Sequence, residues 1–560
     1  MDTEGSVDLV VVGSGAGGMA AAVTAAALGL RVTVVEKAEV VGGTTAWSGG
    51  WIWAPGNPVC RRAGVVEGPE GPRAYLQAVT GNHFDAARVD AFLAAAPEMV
   101  AFFETRTALT FEAGTAIPDT YGHQPGAGTG GRSVIAQPYD GRGLGAAIAL
   151  LRRPLRETSF RGMTIQAGAD LRAFMSVTRS LSSFAHVTRR VLRHAADMAV
   201  HGRGMNLRNG NALIARLLRS ALDLRVGFRL GSGVSGLIHE GGRIGGVILS
   251  DGTRLLATRG VVLATGGFGH DAARRAETFP RDGEHLSLAA PEATGDGLSL
   301  AATAGAAVRT DLAASAALCP VSRVRWPDGS EGVFPHIIER GKPGVIGVLA
   351  NGARFCNEGL GYHDYVEAML RAVPKGEPMR SWLVCDHRFL RRYGLGIVRP
   401  APVPFGPWLA TGYLKRGASI DALARACGID PAGLSRTVTR WNEGAGRGED
   451  PDFGRGTTPY MRLQGDPGVT PNPNVAPLGQ APFYAVEVVP GSFGTFAGLA
   501  TDARARVLRP DGSVIAGLYA AGTDNASVFG GFYPAGGINL GPALTFGYIA
   551  GQHAAQGAEA

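Results

Sequence analysis

The stretch from Asp8 to Gly50 constrains the fold more than any other part of the chain. Asp8-Leu-Val-Val-Val-Gly13 is a short apolar run of the kind that becomes a buried parallel strand. Gly13-Ser-Gly15-Ala16-Gly17-Gly18 follows, and the alanine-rich segment from Met19 to Leu30 has the length and propensity of one helix. Arg31-Val-Thr-Val-Val-Glu36 reads as a second strand, ending in an acid 18 positions beyond Gly18. Strand, G-x-G-x-x-G turn, helix, strand and acid form the layout of a dinucleotide-binding βαβ unit. Gly13 permits the tight turn, Gly15 lets a pyrophosphate touch backbone, and Gly18 lets helix and strand pack closely. The helix N-terminus, with Ala16 and Gly17 in its first turn, then faces the phosphates. Glu36, with Lys37 beside it, is placed to accept ribose hydroxyls. The motif alone is a weak signal among 84 glycines; the two flanking strands and the acid make it specific.

At 560 residues the chain is long enough for two or three domains, and 45% apolar with 18% charged residues is the composition of a folded globular protein. The net charge of +7 is carried almost wholly by scattered arginines, only four of the basic residues being lysine (Lys37, Lys342, Lys375, Lys415). No basic run of nucleic-acid-binding type occurs. Cys60, Cys319, Cys356, Cys385 and Cys427 are isolated and odd in number, which indicates neither a disulfide framework nor a metal site. Met1-Asp-Thr-Glu-Gly lacks the features of a signal peptide, and no apolar run is long enough to span a bilayer. A cytoplasmic enzyme is the expectation.

Gly42-Gly43-Thr44-Thr45-Ala-Trp47-Ser48-Gly49-Gly50 resembles the second phosphate and flavin loop of the fumarate reductase and succinate dehydrogenase flavoprotein superfamily. The resemblance selects FAD over NAD. It implies an α/β fold, with a Rossmann-like FAD-binding domain of the glutathione-reductase type carrying an inserted α+β substrate or cap domain. Gly43 stands where covalent members carry a flavin-linking histidine, so the flavin is expected to be non-covalent. The βα rhythm is lost between about 286 and 470, which divides the chain into residues 1–285 (first FAD segment), 286–470 (substrate domain) and 471–560 (returning FAD segment).

Along the chain, Trp51 to Pro58 reads as a stiff aromatic loop, Ala91 to Phe103 as helix, and residues 146–204 as amphipathic helix rich in arginine. Val234 to Glu240 and Gly245 to Ser250 form a hairpin across Gly241-Gly242. Val261-Val-Leu-Ala-Thr265-Gly266-Gly267 resembles the superfamily strand that closes over the adenosine half of the cofactor. Val234, Thr265 and Gly266 therefore join the expected cofactor residues, as does Gly522 after the strand Gly517-Leu-Tyr-Ala-Ala. Asn539 and Leu540 join them from a helix start near Pro542, whose positive end suits a flavin gaining charge. Asp296, in Ala293-Thr-Gly-Asp296-Gly297, can cap a helix or touch ligand. The nucleotide unit is expected to resume at Phe483-Tyr-Ala-Val-Glu-Val-Val.

Two distant stretches carry the chemistry. Arg354-Phe-Cys-Asn357-Glu358 matches an R-F-x-N-E segment that leads, in dicarboxylate-reducing members, to an arginine five residues after the Asn; here that position is Tyr362. A neutral phenol cannot clamp a carboxylate, which argues for an uncharged substrate. Tyr533-Pro-Ala-Gly-Gly537, with Gly494-Thr495 and Gly498-Leu-x-Thr-Asp502 upstream, resembles the 3-ketosteroid 1-dehydrogenases. That family usually reads Tyr-Pro-Gly where this chain has Tyr533-Pro534-Ala535, and Phe496-Ala497 replaces an expected small pair, so the pocket can differ in shape. The resemblance implies that the Tyr533 hydroxyl and the Gly537 N–H polarise a ketone, that Tyr362 takes the neighbouring proton, and that hydride goes to flavin N5. Tyr121 is the candidate for a supporting phenol bonded to the Tyr362 oxygen. The implied substrate is a small apolar ketone, most directly a steroid, with a quinone or other acceptor reoxidising the flavin. A 4(5)-desaturase or enone reductase, a dicarboxylate reductase and a non-catalytic electron carrier are the alternatives. Trp47, Trp51, Trp53, Phe529 and Phe532 could line a slot or simply fill the core, and His123 and His363 read as surface or satisfied histidines.

Overall fold

The computed structural model describes residues 3–281 and 284–557. Its first sheet is built on Thr3–Val12, which pairs in parallel with Val32–Val35 on one side and Arg254–Leu263 on the other. Gly227–Arg229 and Val514–Ala520 extend the parallel order outwards, and Arg506–Leu508 closes one edge antiparallel. The hairpin expected across Gly241-Gly242 is formed by Val234–Glu240 and Arg243–Leu249, and its second strand pairs with Arg254–Leu263. Leu9 to Val11 are fully buried, as suits a strand covered on both faces.

The helix Ala16–Ala27 packs against the C-terminal helix Leu540–Gln556 at backbone distance. A methyl group on Gly547 would fall on the Gly17 carbonyl, and one on Gly551 would lie 2.7 Å from the Ala21 oxygen. Small side chains on both helices set this spacing, since interaxial distance follows the residues at the contact. The consequence is functional: the N-termini of the two helices are brought to the same end of the sheet.

The second sheet has seven strands around Phe483–Thr495, which pairs with Ala316–Arg325, Ser381–Asp386, Lys415–Gly417 and Leu286–Ser287. Here one expectation is corrected. Phe483–Thr495 does not return the chain to the nucleotide sheet; it is the central strand of the cap, and the nucleotide sheet resumes at Arg506. An apolar strand that is buried on both faces has the same sequence pattern in either sheet. Its distal end is what matters for the site, because it carries Phe493 and Thr495 back towards the nucleotide domain.

Two local expectations also change. Trp51–Trp53 is a strand, not a loop, pairing with Ser133–Ala136, which also pairs with Phe111–Ala113. In residues 146–204 α-helix is confined to Ala169–Met175 and Leu181–His201, because Pro154 and the positive-φ glycines Gly162 and Gly168 interrupt it. No helix among the described residues is long and apolar enough to cross a membrane.

Candidate active site

The glycine motif forms the turn its spacing predicts. Gly13 sits at φ +105°, where a side chain would strike the Ala264 carbonyl, and a methyl on Gly18 would strike the Gly13 carbonyl. Gly15 differs: the nearest atom to a methyl there is Thr45 Oγ1 at 3.7 Å, so its surface is open to a ligand. Glu36 is buried and ties the turn together. Its Oε2 accepts from Ser14 N at 2.9 Å and Ser14 Oγ at 2.6 Å, and its Oε1 accepts from Ala38 N at 2.9 Å. Ser14 Oγ in turn accepts from Gly42 N at 3.0 Å, which draws the second glycine loop onto the first.

That second loop is fastened at each polar side chain. Thr45 Oγ1 accepts the Ala16 N–H at 3.0 Å, Thr44 Oγ1 accepts Ala290 N at 2.8 Å, and Ser48 Oγ donates to the Thr45 carbonyl at 2.8 Å. Gly43 and Gly49 have no backbone or side-chain atom within 3.8 Å of where a methyl would stand, whereas Gly50 lies against Asn209. On the facing strands Asp524 accepts from the Thr265 hydroxyl and amide and from Gly267 N, so Thr265 is held by protein. Gly266 and Gly522, both at positive φ, present open backbone. Val234 stands two residues after Ser232, whose N–H donates to the Glu36 carbonyl at 3.0 Å. Lys37 is placed differently from expectation: its ammonium bonds Thr294 Oγ1 at 2.7 Å and Asp296 at 2.9 Å, fixing the loop that starts helix Asp296–Thr303. Asp296 therefore spends its charge on Lys37.

The second cluster gathers tyrosines from four distant segments. Tyr362 opens helix Tyr362–Ala372, and its ring meets that of Tyr533 edge-on with centroids 4.8 Å apart. Each phenol is close enough to the other to affect its ionisation. Burial, and then Tyr533, pushes the Tyr362 phenol well above its ordinary range; burial also pushes Tyr533 upward. Asn539 Nδ2 donates to Tyr533 Oη at 3.2 Å, which leaves the Tyr533 proton free to be donated. Gly537 is at φ +100°, pressed against the backbone of Trp53, and no acceptor among the described residues takes its N–H. The Pro534 carbonyl is gripped by Tyr75 Oη at 2.6 Å and Thr120 N at 2.8 Å, so the Tyr533 turn is rigidly held.

Tyr121 is in this neighbourhood, but its hydroxyl is coupled to the Asp364 carboxyl, and no bond joins it to Tyr362 among the described residues. Asp364 follows Tyr362 by two positions; burial raises it, with His363 and Tyr121 working against that rise. His363 is buried, not superficial, and its Nδ1 accepts Leu318 N at 3.2 Å, while His123 is exposed. Tyr460, pushed up to about 12 by burial, is close enough to influence Tyr362 and Tyr533 and was not foreseen. Thr458-Pro459 marks its helix start, yet nothing in sequence separates Tyr460 from a structural tyrosine. Of the aromatic residues considered for a slot, Trp53 and Phe529 belong to the core with Phe92; Phe493, on the cap strand, packs instead against Tyr362 at 5.3 Å.

The R-F-x-N-E segment is the scaffold that delivers Tyr362. Arg354 bonds Glu358 at 2.7 Å and 2.9 Å and Asp450 at 2.8 Å and 2.9 Å, and Arg455 adds a contact to Glu358 at 3.4 Å. All four side chains are buried. Asn357 continues the clamp by donating to the Phe453 carbonyl at 2.9 Å.

Residues 8–540 match the FAD binding domain family. The chain belongs to that family. It is 38% identical over 559 residues to the 4-oxocyclohex-2-ene-1-carboxylate 5-dehydrogenase of Sinomonas cyclohexanicum, covering 99% of this chain and 94% of the relative. It is 36% identical over 565 residues to the 3-oxosteroid 1-dehydrogenase of Mycobacterium tuberculosis H37Rv, covering 98% of each. The 3-ketosteroid Δ1-dehydrogenase of Sterolibacterium denitrificans, solved in complex with 1,4-androstadiene-3,17-dione, superposes with a TM-score of 0.91 at 34% identity, covering 99% of this chain and 100% of that one. The chain is thus an FAD-dependent oxidoreductase of the kind that acts on CH–CH bonds.

The residues present fit FAD. The open backbone at Gly15, Gly43, Gly49 and Gly522 is the surface a dinucleotide needs to approach. A cavity lined by Gly522, Asn539 and Pro542 also contains Arg88, a buried guanidinium whose Nε and Nη1 have no partner. Burial lowers Arg88 to about 10, partly offset by Asp85. A cation with unused donors at that position suits a cofactor bearing negative charge, and no motif in the sequence marked it.

Proposed function

We propose that this enzyme introduces a carbon–carbon double bond next to a ring ketone, with 1(2)-dehydrogenation of a 3-ketosteroid as the leading reaction. The observation that carries the proposal is the edge-on contact of the Tyr362 and Tyr533 rings, with Gly537, four residues after Tyr533, offering an N–H that no described residue accepts. Tyr533 and Gly537 would donate to the carbonyl oxygen, making the adjacent C–H acidic. A phenol that burial keeps neutral is the right form for that donor. Tyr362 would take the proton. At its reference value of about 10, a phenol is ionised in roughly one part per thousand at pH 7, a cost of about 4 kcal/mol, and burial increases it. The acceptor would therefore be the minor phenolate form of Tyr362, whose oxygen takes the C–H proton as hydride leaves the next carbon. Bound FAD, held non-covalently since Gly43 offers no side chain for a link, supplies the two-electron oxidant. Reoxidation by a quinone or similar acceptor completes the proposed cycle.

A second reading, desaturation of a single-ring oxo-carboxylate, is favoured by the Sinomonas relative. Against it, Arg340, a buried guanidinium close enough to influence Tyr460, has its donors on the carbonyls of His336, Ile337, Glu358 and Leu360. Anaerobic mixing with 3-ketosteroids and with 4-oxocyclohexanecarboxylate, followed by flavin absorbance and product analysis, separates the two. Bleaching by the steroid and a 1-ene product support the first reading. Bleaching by the carboxylate alone overturns the steroid assignment, and bleaching by neither overturns both.

A further inference from the structure

The helix Leu181–His201 is built the wrong way round for a helix on a protein surface. Among the described residues eleven large hydrophobic side chains are exposed, and five of them, Leu181, Phe184, Leu192, Met198 and Val200, lie on this one helix. Leu181 is 89% exposed, Leu192 65% and Val200 74%. At 100° per residue, Leu181, Phe184, Ala185, Leu192, Ala196 and Ala199 share one arc, and every one is exposed. The opposite arc, turned to the protein, is ionic. Arg190 bonds Asp170 and the Thr164 carbonyl, Asp197 accepts from Arg142 at 2.6 Å and from Met205 N at 3.0 Å, and His186 bonds Asp170 at 2.8 Å. The polar face holds the helix in place, and among the described residues the apolar arc, interrupted by the half-buried Thr188, stays exposed.

Charge identifies what fits that face. Between residues 151 and 205 the only acids are Glu157, Asp170 and Asp197, and all three are buried. The arginines at 161, 172, 179, 189 and 193 are exposed, and Arg189 and Arg193 run along one edge of the apolar arc. Arg193 touches Asp140 at 3.3 Å, and Arg189 has no carboxylate partner among the described residues. A second copy of the chain would set these arginines against their own images. An anionic bilayer surface instead accepts apolar side chains between its lipids and arginines at its headgroups, which is how an interfacial helix binds.

We propose that Leu181–His201 seats the enzyme on anionic membrane surfaces, the helix lying flat with Phe184 and Leu192 inserted. The inference does not depend on the proposed substrate, although an apolar ketone and a quinone would both be concentrated in such a surface. The test is flotation of the FAD-loaded full chain with vesicles of phosphatidylcholine alone or mixed with phosphatidylglycerol. The expected result is at least tenfold greater recovery with the anionic vesicles, weakened by high salt. Phe184→Glu/Leu192→Glu should abolish it, and Arg189→Gln/Arg193→Gln should reduce it several-fold; all of these positions are exposed, so flavin content and melting temperature should stay unchanged. Absence of flotation on anionic vesicles at low salt overturns the proposal, as does equal flotation of the double glutamate variant. A dimer in solution that this variant splits, with no vesicle binding, also overturns it and makes the face a contact between copies.

Discussion

The nucleotide cradle and the tyrosine cluster solve the problem of holding a reactant in opposite ways. The cradle draws most of its residues from one run of about forty, and its shape resides in backbone: Gly13 and Gly18 are glycines because a methyl would strike a carbonyl, and Glu36 serves the turn as much as any ligand. The cluster takes Tyr121, Tyr362, Tyr460 and Tyr533 from segments separated by tens to hundreds of residues, and its shape resides in side chains. Backbone-made sites resist drift because few residues can replace glycine. Side-chain sites change chemistry with one substitution, as the tyrosine at 362 in place of an arginine illustrates.

Tyr362→Phe strikes the side-chain site hardest. It keeps the ring contact with Phe493 and removes only the proposed base, so turnover should fall about 10³- to 10⁴-fold, roughly 4–5.5 kcal/mol, at the upper end for proton-transfer catalysis. Flavin content and melting temperature should match wild type, and stopped-flow bleaching reads the loss. The same assignment gives a sign for pH: since burial holds Tyr362 above its ordinary range, wild-type kcat/KM should climb with pH and reach no plateau below about pH 10.

Next in size comes the scaffold beneath it. Arg354→Met leaves Glu358 and Asp450 buried without their main partner, costing about 3–5 kcal/mol of stability by chemical denaturation. Burial alone would raise both carboxyls, but Arg354 brings them below the usual range, so in wild type their stabilising contribution is present above about pH 4 and lost as pH falls through the folded values. In the variant the sign reverses: stability should rise as pH drops from 7 towards 5. Tyr533→Phe follows, with a loss of about 10²- to 10³-fold in kcat, the range for removing one donor to a developing oxyanion.

How much could be read in advance follows the same division. The βαβ unit, its glycines and Glu36 were legible because strand, turn and helix are local and each residue type has one physical reason to be there. Phe483–Thr495 was misplaced between sheets because burial on both faces erases any mark of which sheet a strand joins. Tyr362 and Tyr533 were legible only by resemblance. Tyr460, Asp364 and Arg88 were not legible at all, since a buried tyrosine, a first-turn aspartate and a helical arginine are ordinary until the fold brings them to a common point.

On the cradle, Gly15→Ala should sharpen the contrast with its neighbours. A methyl there meets nothing closer than Thr45 Oγ1 at 3.7 Å, so the apo fold should melt as wild type does. The methyl would stand where pyrophosphate approaches, and FAD affinity should weaken at least tenfold, about 1.4 kcal/mol, by equilibrium titration of apoprotein.

The smallest effect belongs to Tyr121, and it decides between two arrangements. If the Tyr121 hydroxyl served Tyr362 directly, Tyr121→Phe would cost nearly as much as losing a catalytic donor. In the structure it is coupled instead to Asp364, a buried carboxyl that burial already pushes upward. Removing that hydroxyl withdraws one of the influences holding Asp364 down, so the carboxyl should titrate at still higher pH while the Tyr362–Tyr533 ring contact stays in place. Tyr121→Phe should therefore lower kcat only about three- to tenfold, about 0.7–1.4 kcal/mol, and Asp364→Asn should reproduce most of that loss. A hundredfold drop for Tyr121→Phe with Asp364→Asn near wild type would place Tyr121 on the Tyr362 oxygen during turnover.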